Sequence, residues 1–209
     1  ARAYLVSQWF AEQGFAVVVT DGRGMAGRGP AWDRLALHDR AGTSDDQAEA
    51  VRAIGELYPD NLDLARVAIR GWSFGGYLAA LAVLRRPEVF HGAVAGAPVI
   101  DWALYDTFYT ERYLGAPADN ADAYARSSLL DDAPSLRRPL LLIHGLADDN
   151  VVAAHTLLFS QRLTENGRPH TVLPLTGVTH MTPQEAVAEN MLRLQVQFLQ
   201  QALGIASGE

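Results

Sequence analysis

The chain contains no cysteine, which excludes a disulfide framework and any metal site built on thiolates. Basic residues are scarce as well: 17 Lys and Arg stand against 24 Asp and Glu, so the net charge is −7. That charge argues against nucleic acid or an anionic membrane as a partner. Neither a run of about 18 apolar residues nor a signal peptide is visible. These absences favour a cytoplasmic location, with the periplasm or secretion as alternatives.

A composition of 49% hydrophobic and 20% charged residues indicates one globular domain over residues 1–209. The chain starts at Ala1 almost directly inside a helical pattern that includes Leu5, Trp9 and Phe10. We therefore expect this domain to be part of a longer protein.

Short apolar runs alternate with helical patterns along the chain. This alternation predicts a mostly parallel sheet with helices on both faces. The five predicted strands are Phe15–Thr20, Val67–Arg70, Ala93–Gly96, Leu140–His144 and Thr171–Leu175.

Apolar residues at helical spacing predict a helix over Gln47–Tyr58 and another near the end of the chain. The last helix is expected to open with a capping box at Thr182–Glu185 and to stop at Gly204. One segment, Pro98–Pro139, interrupts the alternation and is rich in Tyr and Trp. An insert of that length in a compact domain indicates a functional role.

Gly71-Trp72-Ser73-Phe74-Gly75 follows the second predicted strand and matches G-x-S-x-G. In α/β-hydrolases this pattern holds a serine on a sharp turn between a strand and a helix. The turn exposes the hydroxyl and leaves the next backbone N–H, that of Phe74, free to bind an oxyanion. A helical pattern follows at Tyr77–Leu84. This context favours a nucleophilic Ser73 over an ordinary tight turn.

The triad of an α/β-hydrolase runs in the order serine, acid, histidine, each on a loop at the carboxyl end of a strand. Asp148 and Asp149 both lie in the loop after Leu140–His144, and spacing alone does not decide which of them orients the imidazole. Of the six histidines, only His180 lies in the loop after the last predicted strand. His180 is therefore the predicted general base.

A competing motif lies at residues 22–27, which fit G-x-G-x-x-G behind the first predicted strand. A dinucleotide site requires a helix to open at those glycines, but Pro30 disfavours helix at Gly29. Asp45 and Asp46 begin a helix, whereas the fingerprint needs an acid at the end of a second strand. We interpret the stretch as an irregular loop and expect no cofactor and no metal.

Together these motifs resemble the catalytic domain of the prolyl oligopeptidase family, and within it the dipeptidyl peptidase IV branch. The tryptophan before the serine and the Tyr-Thr-Glu-Arg-Tyr run are specific to that branch. The resemblance implies an α/β-hydrolase fold with Asp148, the first of the two acids, in the triad. The matching segments are residues 21–24, 46–47, 71–77, 97–99, 102, 105–106, 109–113, 144–145 and 148–151.

The resemblance also implies an apolar pocket for a proline-sized residue, with Asn150 near the carbonyl of the preceding substrate residue. Plain core packing of the insert is the alternative explanation for its aromatic residues. The implied pocket residues are Phe74, Val99, Trp102, Tyr105 and Tyr109.

The sequence departs from the branch at several points. Phe74 stands where the branch usually has Tyr, and Val152 replaces a common His. The family's second oxyanion donor (a tyrosine), the first strands of its sheet and its β-propeller with paired glutamates have no counterpart here. We expect these parts to precede Ala1 in a longer parent.

The resemblance implies a serine exopeptidase that forms an acyl-enzyme and releases amino-terminal dipeptides from peptides with Pro or Ala at the second position. It also implies a homodimer. Two alternatives stay open: an acylaminoacyl peptidase or esterase on the same fold, and a non-catalytic fragment that keeps the hydrolase fold.

Overall fold

A computed structural model describes residues 2–205 of the chain. Four strands form one sheet in the order β1-β2-β3-β4, and all three pairings are parallel. Their carboxyl ends therefore meet at the same edge of the sheet. The strands are β1 (Ala68–Trp72), β2 (Gly92–Gly96), β3 (Leu140–Gly145) and β4 (Thr171–Leu175).

Eight α-helices are present within the described residues, and each of β1 and β3 is followed by one before the next strand begins. None of the helices in this part of the chain is both long and apolar enough to cross a membrane. The helices are α1 (Arg2–Glu12), α2 (Pro30–Arg34), α3 (Thr43–Leu57), α4 (Phe74–Arg85), α5 (Thr107–Leu114), α6 (Ala121–Ser127), α7 (Ala154–Glu165) and α8 (Glu185–Ala202).

The central strand β3 contributes to a core on each face of the sheet, because successive side chains of a strand point to opposite faces. Leu140 and Leu142 join the larger core, which includes residues of α3, α4 and α7. Leu141 and Ile143 join a smaller core with residues of α1 and α8. The predicted architecture, an α/β-hydrolase sheet with helices on both faces, is confirmed.

Four of the five predicted strands are present, within two residues of their predicted ends. The predicted helix over Gln47–Tyr58 corresponds to α3. The insert Pro98–Pro139 carries α5, α6 and two 3₁₀ turns, at Trp102–Leu104 and Ala133–Ser135. It therefore has its own secondary structure and lies directly after β2.

The prediction of a strand at Phe15–Thr20 is wrong. These residues have no regular secondary structure, and the side chains of Val17, Val18 and Val19 are exposed. A strand is stabilised by hydrogen bonds to a neighbouring strand, and no strand within residues 2–205 pairs with this segment. Its β-branched sequence alone does not supply a partner.

The predicted capping box at Thr182–Glu185 is also wrong. Helix α8 begins at Glu185, and its cap residue Gln184 makes no side-chain hydrogen bond to the helix. The hydroxyl of Thr182 is buried and has no hydrogen-bond partner. The helix ends at Ala202, close to the predicted stop at Gly204.

Residues 22–27 form turns and no helix opens there, which confirms the interpretation as an irregular loop. The loop is held to α3 by Arg23, which donates from its backbone N–H and its guanidinium to the carboxylate of Asp46. Burial raises the pKa of Asp46, but these hydrogen bonds outweigh it and the pKa is lowered. Asp46 thus serves as an anchor for the loop.

Candidate active site

Ser73 lies on a strained turn between β1 and α4. Its backbone angles, φ 59° and ψ −118°, are outside the regions that residues other than glycine usually occupy. Glycines on both sides make the turn possible: a Cβ at Gly71 would overlap the backbone of Gly75, and one at Gly76 would overlap the carbonyl oxygen of Gly96. The turn is fixed by a hydrogen bond of 2.8 Å from the Ser73 N–H to the Gly96 carbonyl.

The backbone N–H of Phe74 lies directly after the serine, in the first turn of α4. Donors in a first turn have no acceptor within their helix. The helix dipole also adds partial positive charge at this end. The position therefore suits a negative oxygen that approaches the serine.

Asp148 and His180 are joined by a hydrogen bond, although they are 32 positions apart in sequence. The His180 Nδ1 lies 2.8 Å from the Asp148 Oδ2. The other carboxylate oxygen accepts from the backbone N–H groups of Asn150 and Val151, at 3.0 and 2.9 Å. The Asp148 side chain is fully buried and that of His180 is 15% exposed. Asp149 is exposed and has no hydrogen bond to His180.

This hydrogen bond determines which nitrogen of His180 is free. An ionised carboxylate only accepts hydrogen bonds, so the Nδ1 of His180 carries the proton that Asp148 accepts. The neutral ring then has an unprotonated Nε2. The pair can act as an oriented general base.

The loop that carries His180 is held against the ends of β1 and β3. Trp72, the neighbour of Ser73, donates from its indole nitrogen to the His180 carbonyl at 2.8 Å. A Cβ at Gly145 would overlap the backbone of Val178, so only glycine lets the loop pass across the end of β3. Within residues 2–205 the Ser73 hydroxyl itself makes no hydrogen bond to His180.

A buried histidine, His144, supports the Asp148 loop. Its Nε2 lies 2.7 Å from the Val151 carbonyl and its Nδ1 lies 2.7 Å from the Thr156 hydroxyl. Burial lowers the pKa of His144, so the ring is neutral and donates from Nε2 to the carbonyl. The ring therefore ties the end of β3 to the start of α7. Its position at the end of a strand was the only sequence signal for this residue.

The aromatic residues of the insert form a cluster next to Phe74. The rings of Trp102 and Tyr109 stack at 5.9 Å, and Tyr105 packs edge-on to both. Phe74 lies 6.1 Å from Trp102. Val99 and Trp102 are only 1% exposed, so they lie behind the partly exposed tyrosines.

The cluster is linked to the loop of the acid. The Tyr105 hydroxyl donates to the Asn150 Oδ1 at 2.9 Å, and Asn150 itself follows Asp148 by two positions. The structure therefore brings together the predicted pocket residues Phe74, Trp102, Tyr105, Tyr109 and Asn150. It places Val99 in the core beneath them.

One residue of this region was missed by the sequence analysis. Arg40 lies between α2 and α3, and its guanidinium is 4.2 Å from the centre of the Phe74 ring. It also donates to the Tyr109 hydroxyl at 2.9 Å. No local sequence pattern marks Arg40, because its partners are distant in sequence. Within residues 2–205 no cluster of three His, Asp or Glu side chains is arranged to hold a metal ion.

The chain is similar in sequence to dipeptidyl peptidases of mammals. The mouse and human dipeptidyl peptidase 8 sequences are each 37% identical to the chain over 198 residues, which cover 93% of it and 22% of each relative. Bovine dipeptidyl peptidase 4 is 34% identical over 192 residues, which cover 88% of the chain and 24% of the relative. The chain thus spans about a quarter of the length of these relatives.

Two solved structures are similar to the fold. The dipeptidyl peptidase 4 of Porphyromonas gingivalis matches with a TM-score of 0.82 and 36% sequence identity. The match covers 87% of the present chain and 26% of the Porphyromonas chain. A protein from Bacteroides ovatus, described as a putative dipeptidyl aminopeptidase IV, matches with a TM-score of 0.83 and 30% sequence identity. The match covers 87% of the present chain and 25% of the Bacteroides chain.

Residues 2–206 also match the family described as Prolyl oligopeptidase family. The match covers the four strands and the loops that carry Ser73, Asp148 and His180. The resemblance stated from the sequence is thereby confirmed, as is the prediction of a serine peptidase family. The chain belongs to the prolyl oligopeptidase family.

Proposed function

We propose that this chain is the catalytic domain of a serine exopeptidase that releases amino-terminal dipeptides from peptides with Pro or Ala at the second position. The observation that carries the proposal is the hydrogen bond between His180 and the buried Asp148, beside the strained turn of Ser73. These three residues lie at the carboxyl ends of three parallel strands, where ligands of open α/β sheets bind.

In the proposed reaction the His180 Nε2 takes the proton of the Ser73 hydroxyl as the serine oxygen attacks the carbonyl of the second substrate residue. The oxygen of the tetrahedral intermediate accepts from the Phe74 N–H. His180 then gives the proton to the leaving amine, and an acyl-enzyme remains on Ser73. Water, deprotonated by the same histidine, hydrolyses this ester and releases the dipeptide.

The substrate's second residue would pack beside Phe74, Tyr105 and Tyr109, with Trp102 buried behind them. Stacked and edge-on rings present apolar faces that suit the ring of proline. The Asn150 side chain, held by the Tyr105 hydroxyl, would donate from its amide nitrogen to the carbonyl of the first residue.

We further propose that the domain works together with a β-propeller and as a homodimer, as the family resemblance implies. A propeller would supply carboxylates for the substrate's amino terminus. A second oxyanion donor would come from outside residues 2–205.

A substrate panel tests the proposal on the native full-length protein. Glycyl-prolyl-anilide should be hydrolysed faster than acetyl-alanyl-anilide or a short acyl ester. Preference for the acetylated anilide or the ester would favour the acylaminoacyl peptidase or the esterase instead. A protein that cleaves none of the three would contradict the proposed activity.

A further inference from the structure

Arg40 is buried without a carboxylate. The residue is only 5% exposed. Several other arginines of the chain pair with acids, as Arg23 does with Asp46 and Arg85 with Asp132. No such pair is found for Arg40 within residues 2–205, and a buried charge without a partner is costly. The structure must therefore stabilise this cation in another way.

Aromatic rings surround the cation instead. Its central carbon lies 4.2 Å from the ring centre of Phe74 and 4.4 Å from that of Tyr113. Trp102 and Tyr109 follow at 5.5 and 5.8 Å. A guanidinium within about 6 Å of a ring centre is attracted to its electron-rich face, most strongly when both are shielded from water.

Within residues 2–205 a single hydrogen bond orients the guanidinium. The Nη2 of Arg40 donates to the hydroxyl of Tyr109 at 2.9 Å, whereas its Nε is buried without a partner. Burial raises the pKa of Tyr109, and the charge of Arg40 acts in the opposite direction. Tyr109 therefore has both its ring and its hydroxyl held by one side chain from outside the insert.

The backbone of Arg40 is also held in place. Its backbone carbonyl accepts from the Thr43 hydroxyl at 2.6 Å, in the first turn of α3. The side chain thus links α3 to Phe74 at the start of α4 and to the insert after β2. Because Arg40 is almost fully buried, its side chain contacts the aromatic rings on the side that faces the protein interior.

From this geometry we infer that Arg40 is a positioning residue that sets the shape of the aromatic pocket, and thereby the preference for proline over smaller residues. The inference rests on the proposed function, since it concerns the same pocket. Arg40 does not reach the reacting atoms. It acts through Tyr109 and Phe74, which form the walls that the substrate meets.

The test uses Arg40→Met in the native full-length protein, because methionine keeps much of the apolar stem and removes the charge and the donors. The kcat/KM for an alanyl-prolyl-anilide should fall about tenfold, mainly through KM, while that for an alanyl-glycyl-anilide changes less than about threefold. Arg40→Lys keeps the cation but not the planar fork, and should restore part of the proline preference.

Arg70→Met is the matched control. The Arg70 guanidinium also lies over a ring, 4.5 Å from the centre of Phe10, and its Nε donates to the Gln195 Oε1 at 3.1 Å. It belongs to the opposite face of the sheet, away from the pocket. Its removal should leave the ratio of proline to glycine cleavage unchanged. Equal losses for both substrates in Arg40→Met, or a loss confined to kcat, would overturn the inference.

A double-mutant cycle of Arg40→Met and Tyr109→Phe separates this inference from the proposed function. In urea unfolding, the effects of Arg40→Met and Tyr109→Phe should be non-additive, because the first removes the donor and the second the acceptor of one hydrogen bond. This measurement needs no activity. Additive effects would overturn the positioning role even in an active peptidase, whereas a wild-type protein that cleaves no dipeptidyl anilide would contradict the proposed function alone.

Discussion

The two halves of the candidate site are held by different kinds of interaction. Ser73, Asp148 and His180 lie just beyond the ends of β1, β3 and β4. Backbone hydrogen bonds fix the turn of Ser73 and the carboxylate of Asp148, and His180 is then held by Asp148 and Trp72. The proposed aromatic pocket, in contrast, lies mainly in the insert after β2 and is held by side chains. One of its links to the rest of the domain is Arg40, 69 positions before its partner Tyr109.

The difference indicates how the two halves should respond to mutation. In the proposed mechanism the three residues at the strand ends act as one chemical unit, so a single loss should abolish turnover. The proposed pocket is a set of packed surfaces, so a single loss should weaken binding and selectivity in steps. Substitutions in each half therefore test this contrast.

Ser73→Ala and His180→Ala should each lower kcat by roughly 10⁵-fold or more, and the double variant should be little worse than either, because members of a triad act together. Steady-state kinetics on glycyl-prolyl-anilide would measure this. Additive losses, or a single variant that retains a tenth of the activity, would show that the two residues do not form a unit.

Replacement of Asp148 and Asp149 in turn should show which of the two orients His180, a question that the spacing in the sequence left open. Asp148→Asn should lower kcat on the order of 10⁴-fold, because an amide no longer selects the tautomer of His180. Asp149→Asn is the matched control and should have far less effect, since Asp149 is exposed. The reverse ranking would assign the role of the triad acid to Asp149.

Tyr105→Ala and Tyr109→Ala should each cost about 1–3 kcal/mol in kcat/KM for a proline substrate, the range of contacts in a hydrophobic specificity pocket. The loss should be smaller for a glycine substrate, which leaves the pocket empty in both enzymes. Equal losses for the two substrates would mean that these rings stabilise the insert and do not contact the substrate.

His155 contacts the insert from the start of α7, and its effect should appear in the stability of the fold. Its Nδ1 accepts from the backbone N–H of Ile100 at 3.1 Å, and the residue is 0% exposed. Burial lowers the pKa of His155 to about 4. Because the folded pKa is below the unfolded one, this contribution is present at neutral pH and is lost as the pH falls from about 6.5 towards 4.

The loss over this interval should be on the order of 3 kcal/mol in the free energy of unfolding. Urea unfolding at a series of pH values would measure it. His155→Gln should flatten the pH dependence, while His38→Gln, at an exposed histidine, should leave it unchanged. An identical slope in wild type and His155→Gln would contradict the assignment.

The strand-end half could be predicted from the sequence because its signals are local. The glycines around Ser73 mark a turn that few other residues allow, and β3 is apolar along Leu140–Ile143. The strand predicted at Phe15–Thr20 failed for the converse reason. A strand depends on a neighbour, and composition does not report whether a neighbour is present.

The pocket half could be predicted only in part. The resemblance to the family indicated Trp102, Tyr105 and Tyr109, but Arg40 was missed because its role arises from contacts between distant segments. The Thr182 hydroxyl was wrongly assigned to a helix cap, since the motif matched while the chain entered α8 in another conformation. Such features follow from tertiary structure and have no local pattern.

The central claim, that Ser73 is a nucleophile activated by His180, is tested most directly by covalent labelling of the native full-length protein with a fluorophosphonate, followed by peptide mapping. We predict one adduct, on Ser73, formed rapidly in the wild type and at least about 10³-fold more slowly in His180→Ala, because the serine then lacks its base. A wild-type protein without an adduct at Ser73, or equal rates in the two proteins, would contradict the claim.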